Sequence, residues 1–165
     1  MFPNLLKDSV WHTTSVERFN GIILTGSILP EPPIDDSERW GTACGKEMYP
    51  YVRRLGGVSL FDFTDFDEVK YGEMFPVSNW SAFVPCCSKW DESIWIKINT
   101  NAIQENFIDG VTLLNRWKKE GSYQNRIMPR IESAHIGPLP SSAFLDVFKY
   151  SGGKWQKLNG SSYVR

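Results

Sequence analysis

The chain has 165 residues, 41% hydrophobic and 22% charged, a balance that suits one soluble globular domain over residues 1–165 and excludes a disordered tail or fibrous repeat. A formal net charge of −1 excludes a global positive field, so any contact with nucleic acid must be a local patch. Aromatic residues make up 14% of the chain, and many stand beside charged or turn residues, where rings often line pockets.

Ser9 to Thr14 reads as a short strand ending in polar residues, and Ser15 stands ready to cap a helix. From Val16, the apolar positions Phe19, Ile22 and Ile23 keep helical spacing until Gly26, a natural C-terminal stop. Pro30, Pro32 and Pro33 with the acidic run that follows make residues 29–40 a surface loop. Lys46 to Leu55 predicts a short helix, and Gly56-Gly57 releases the chain into a strand over Val58–Phe63, with Ser59, Phe61 and Phe63 on one face. Thr64 to Tyr71 reads as an acidic, aromatic loop with a turn of helix. Trp80–Val84 and Ile94–Ile98 read as strands, Asn106–Lys119 as a helix, and Arg126–His135 as a strand before the Gly137–Pro140 turn. Ala143–Tyr150 and Lys154–Leu158, joined at Gly152-Gly153, read as a hairpin. Strands mixed with a few helices predict an α+β fold.

Much chemistry is excluded. His12 and His135 are the only histidines, no Cys or His falls at a zinc spacing, and no metal is expected. Phosphate-loop and Rossmann glycine patterns are missing, and Ser59 lacks the second glycine of a nucleophile elbow. Cys44 as a thiol nucleophile, with a histidine as base, competes with the commoner role of cysteine as a small buried hydrophobe. Three cysteines, two of them adjacent at Cys86-Cys87, argue against a disulfide framework and for a reducing cytoplasm. Neither a membrane span nor a secretory signal is visible. Arg53-Arg54 and the group Arg116, Lys118 and Lys119 read as solvated helix faces or as docking points for a phosphate or an acidic target.

Three pieces form a constellation: His12-Thr13-Thr14-Ser15 ending the first strand, Gly57-Val58-Ser59 with Tyr71 downstream, and Glu132 before Gly137-Pro138-Leu139-Pro140. In order and context they resemble the ADP-ribosyltransferase superfamily of the diphtheria-toxin and poly-ADP-ribose polymerase type, including its DNA- and RNA-directed toxin branches. Ser59 stands where that pattern has its first Tyr. The resemblance implies a split, twisted antiparallel β core with flanking helices, and NAD as a consumed substrate. It implies Glu132 as the catalytic carboxylate at the ribose, and His12, Thr13 and Thr14 as NAD-binding residues. Tyr71 and Phe61 would sandwich the nicotinamide ring, and Ser59 would hydrogen-bond either the carboxamide or Glu132. The implied partners are a macromolecular acceptor (protein, DNA or RNA), which the irregular segments Leu29–Trp40 and Asp65–Trp80 would recognise, and a cognate antitoxin. An NAD glycohydrolase, with water as acceptor, and an inert interaction module on the same fold are the competing expectations.

Overall fold

A computed structural model describes residues 1–160. Strand β1 (Val10–Ser15) runs into helix α1 (Val16–Thr25), whose start is fixed by the Ser15 hydroxyl accepting the Arg18 N–H at 3.2 Å. The helix stops at Gly26, which takes a left-handed φ of 77° that a β-carbon would oppose. Then follow β2 (Ser27–Ile28), α2 (Tyr51–Arg54), β3 (Gly57–Asp62), α3 (Glu68–Met74), β4 (Ser93–Ile98), β5 (Phe107–Ile108) and α4 (Gly110–Glu120). Strands β6 (Glu132–Ile136), β7 (Leu139–Pro140), β8 (Phe144–Ser151) and β9 (Lys154–Leu158) complete the order.

Among the described residues the strands build a seven-stranded sheet, ordered β5-β6-β3-β1-β4-β8-β9 with antiparallel neighbours, and a small β2-β7 ribbon. This is the α+β class that the sequence predicts, with β1 at the centre. Period-two alternation sorts the side chains between the two faces. Val10, Val58, Leu60, Ile94 and Ile96 pack with Phe19 of α1 on one face. Trp11, Phe61, Phe63 and Trp95 form an aromatic cluster on the other, joined by Phe2, Tyr71 and Met128. A third cluster gathers Tyr51 and Val52 of α2, Leu113 of α4 and Ala134 of β6.

Several elements differ from expectation. Trp80–Ala82 forms a 3-10 turn rather than a strand, because its rings are drawn to the aromatic cluster: Trp80 meets Phe66 at 5.1 Å and Phe83 meets Phe61 at 6.0 Å between centroids. The strand expected over Arg126–His135 occupies only Glu132–Ile136. Pro129 lacks an N–H, and Arg130 takes a φ of 66°, which no ladder accommodates. The expected Asn106 helix is preceded by β5, and it begins at Gly110, where the Asp109 carboxylate accepts the Thr112 N–H at 2.9 Å. Lys46–Leu55 divides into a 3-10 turn and α2, which begins just after Pro50. The turn of helix expected within Thr64–Tyr71 is α3, which runs on to Met74 and is capped by Asp67 accepting the Lys70 N–H at 3.0 Å.

Candidate active site

The central strand forks the sheet. β1 pairs with β4 along Trp11–Ser15, but its register with β3 holds only at Val10–Asp62 and Trp11–Phe61. Beyond Trp11 the two strands part, and a cleft of about 440 Å³ opens between them, within the range of small-molecule sites. His12, Thr13 and Thr14 line it from β1, Gly57, Val58 and Ser59 from β3, and Glu132 from β6. Helix α1 and the loop from Leu29 to Trp40 complete its walls.

His12 bridges the fork by side chain where the ladder stops. Its Nδ1 lies 3.1 Å from the Ser59 carbonyl oxygen, which can only accept, so Nδ1 carries the proton. Burial, aided by the Arg18 charge, lowers the imidazole pKa to about 4 despite that hydrogen bond. His12 is therefore neutral near pH 7, and its Nε2 is an acceptor suited to a hydroxyl donor. Thr13 is tied back to β4 through its hydroxyl, which donates to the Ile94 carbonyl at 3.1 Å.

Glu132 is 2% exposed, so its carboxylate must be held by specific donors. The Ser59 hydroxyl donates to Oε2 at 2.6 Å and the Met128 N–H to Oε1 at 3.0 Å. Burial outweighs both bonds and pushes the carboxyl up to about 7. Each ionised oxygen keeps lone-pair capacity after these bonds, leaving the group free to accept from a ligand hydroxyl.

The backbone around Glu132 is fixed from three sides. Asp62 N–H donates to the Ile131 carbonyl at 2.6 Å, and the Asp62 carboxylate accepts the Gly110 N–H at 3.2 Å. Gly110 packs so closely that a β-carbon there would stand 1.7 Å from the Arg130 carbonyl oxygen. The Tyr71 hydroxyl donates to the Pro129 carbonyl at 2.7 Å, clamping the turn that presents Met128.

The structure therefore brings together His12, Thr13, Thr14, Ser59 and Glu132, but not Phe61 or Tyr71. Phe61, 8% exposed, stacks on Phe63 at 5.2 Å with 13° between planes and contacts Trp95, so its ring faces belong to the aromatic cluster. The sandwich of a ligand ring by Phe61 and Tyr71 has no counterpart in this arrangement. Tyr71 instead supports the Glu132 segment, and burial pushes its phenol up to about 12. Of the two irregular segments, Leu29–Trp40 walls the cleft, whereas Asp65–Trp80 sends Phe66, Tyr71, Phe75 and Trp80 to the aromatic cluster. Cys44 is exposed and outside the cleft.

Sequence reasoning missed Met128, which acts through its backbone and so leaves no side-chain signature, and Arg18 and Arg39, which line the cleft. Among the described residues no group of three or more His, Cys, Asp or Glu side chains is placed to hold a metal ion, and no helix is long and apolar enough to cross a membrane.

No protein-family model and no curated protein matches the chain. What the arrangement can do chemically follows from its groups. A buried carboxylate that ionises near neutrality can stabilise positive charge developing beside it and accept a proton, while a neutral imidazole across the fork accepts from a hydroxyl.

Proposed function

We propose that the chain is an NAD-dependent ADP-ribosyltransferase, with the forked cleft as its NAD site and a macromolecule as acceptor. The observation that carries this reading is the Ser59–Glu132 pair, 2.6 Å apart, in a cleft whose opposite rim holds His12. Its support is that the order His12, Ser59, Glu132, which resembles the superfamily's pattern along the chain, converges on one site.

In the proposed reaction the bond between ribose C1′ and the nicotinamide nitrogen breaks, and its electron pair leaves with neutral nicotinamide. Positive charge develops on the ribose, where a fixed, poorly solvated carboxylate is worth more in the transition state than in the ground state. Ionised Glu132 supplies that charge and accepts a ribose hydroxyl hydrogen bond. The acceptor nucleophile then forms its bond to C1′ and surrenders its proton, for which Glu132 is the nearby base. Neutral His12 accepts from a hydroxyl of the adenosine ribose. The polar backbone of β1 beyond Trp11, released from pairing with β3, offers partners for the carboxamide.

Incubation of the purified chain with NAD tests the reading. Nicotinamide is released, and Glu132→Gln, which keeps shape but removes charge, lowers release by orders of magnitude. Radiolabel from the adenylate half appears on protein or nucleic acid added from a cell extract. Free ADP-ribose with no labelled macromolecule converts the assignment to a glycohydrolase, and no release from the folded chain at any pH refutes it.

A further inference from the structure

Two arginines of the cleft wall are paired in an unusually lopsided way. Arg53 of α2 and Arg39 of the loop both line the cleft, and their side chains are only 12% and 16% exposed. Their carboxylate partners come from the solvent side: Glu31 is 59% exposed and Asp36 44%. Glu31 is gripped twice by Arg53, Nε to Oε1 at 2.8 Å and Nη2 to Oε2 at 3.0 Å, and once by Arg39 at 2.7 Å. Asp36 meets Arg53 Nη2 at 3.0 Å and accepts the Tyr49 hydroxyl. The Arg53 guanidinium lies 3.8 Å above the Tyr49 ring centre, which fixes its plane. Its Nη1 is buried with no hydrogen-bond acceptor.

A guanidinium fork of this kind accepts a carboxylate or a phosphate with the same geometry. The buried guanidiniums are anchored, whereas a pair whose acid is exposed gains little net stability, so the acids are the exchangeable members. Two guanidiniums balance two carboxylates, and two phosphate charges would balance them equally while adding oxygens for the orphan Nη1.

We infer that Arg53 and Arg39 form an anion subsite for the diphosphate of a dinucleotide, occupied in this structure by the loop carboxylates of Glu31 and Asp36, which the phosphates displace. The inference rests on the dinucleotide reading of the cleft and extends it to the residues that hold the phosphates and to a loop that competes with the substrate. Glu31 and Asp36 thus act as internal competitors, so their neutralisation tightens binding.

Calorimetric titration of the full chain with ADP and with adenosine tests this. ADP binds at least ~10-fold more tightly than adenosine, the worth of one or two charge-assisted hydrogen bonds, and Arg53→Gln removes the difference. The double variant Glu31→Gln/Asp36→Asn binds ADP several-fold more tightly with adenosine unchanged. That gain is not what a merely structural network would give, and it stays readable if Arg53→Gln fails to fold. Equal binding of ADP and adenosine, or weaker ADP binding by the double variant, overturns the inference. Nicotinamide release measured in parallel separates the two readings. Release from NAD without Arg53-dependent ADP binding removes the subsite and leaves the transferase. Arg53-dependent ADP binding without release removes the transferase and leaves a diphosphate site.

Discussion

Ser59→Ala isolates the electrostatics of the candidate site, because Ser59 is exposed to the cleft and its hydroxyl is within 2.6 Å of Glu132 Oε2. Truncation removes a hydrogen bond to an ionised carboxylate while deleting almost no packed volume. With its carboxyl held near 7, Glu132 is about half ionised at neutral pH in the wild type. A hydrogen bond to a charged group is worth at least ~1.5 kcal/mol, and losing it raises the carboxyl by roughly one further pH unit. At pH 7 the ionised fraction then falls from about a half to about a tenth, a roughly five-fold loss that vanishes above about pH 9. The assay is kcat/KM for nicotinamide release between pH 5.5 and about pH 9.5, which reports the free enzyme's titration. Wild-type activity rises with pH through about 7, the Ser59→Ala profile is displaced to higher pH, and Ser59→Thr restores it. A uniform loss at every pH, with the midpoint unmoved, refutes the reasoning and assigns the hydroxyl to the substrate instead.

The same carboxyl predicts a stability cost. Its folded value of about 7 lies above the ordinary 4.5, so the folded state binds more protons between those values and loses stability as pH rises through them. Glu132→Gln is therefore more stable than wild type at pH 8, by up to about 3 kcal/mol, and gains little at pH 4; thermal melts that show no pH-dependent gain would contradict this. Phe61→Leu lowers stability in urea by less than the ~3–5 kcal/mol of a Phe→Ala truncation and leaves the KM for NAD unchanged. A selective rise in KM at constant stability would put the ring at the substrate. Gly110→Ala forces a β-carbon to within 1.7 Å of the Arg130 carbonyl, so it displaces the Glu132 segment and lowers both melting temperature and nicotinamide release. Wild-type values for both would refute the packing argument.

Elements whose signals are local were legible in the sequence. Ser15 and Gly26 delimit α1 through backbone groups within four residues, and alternation in Ile94–Ile98 specifies two faces without reference to neighbours. Trp80–Val84 was not legible because the half-buried ring of Trp80 is held by tertiary contacts with Phe2 and Phe66, which no local pattern encodes. The site divides in the same way. The alternation that puts Ser59 and Phe61 on one face does not say where along that face the cleft gives way to core, and the boundary falls between them. For Arg53, a position in a short helix leaves a solvated charge and a docking point for a phosphate or acidic target both open, and only the return of Glu31 and Asp36 from the loop shows that it is sequestered.

The balance at Glu132 also explains why the surrounding scaffold is so constrained. With no donors, a carboxyl this buried would stay protonated at neutral pH and carry no charge. With several more, it would ionise fully but use up the lone pairs that a ligand hydroxyl needs. Two donors leave it near its midpoint at pH 7 with accepting capacity in reserve. Such a balance tolerates little movement, since hydrogen bonds weaken steeply with misalignment. The fold accordingly fixes both donors by backbone: Ser59 by its strand and by His12, and Met128 by the turn that Tyr71 clamps at Pro129. The aromatic cluster that absorbs Tyr71 thus supports the site from outside the cleft, through the Tyr71 bond to the turn that carries Met128.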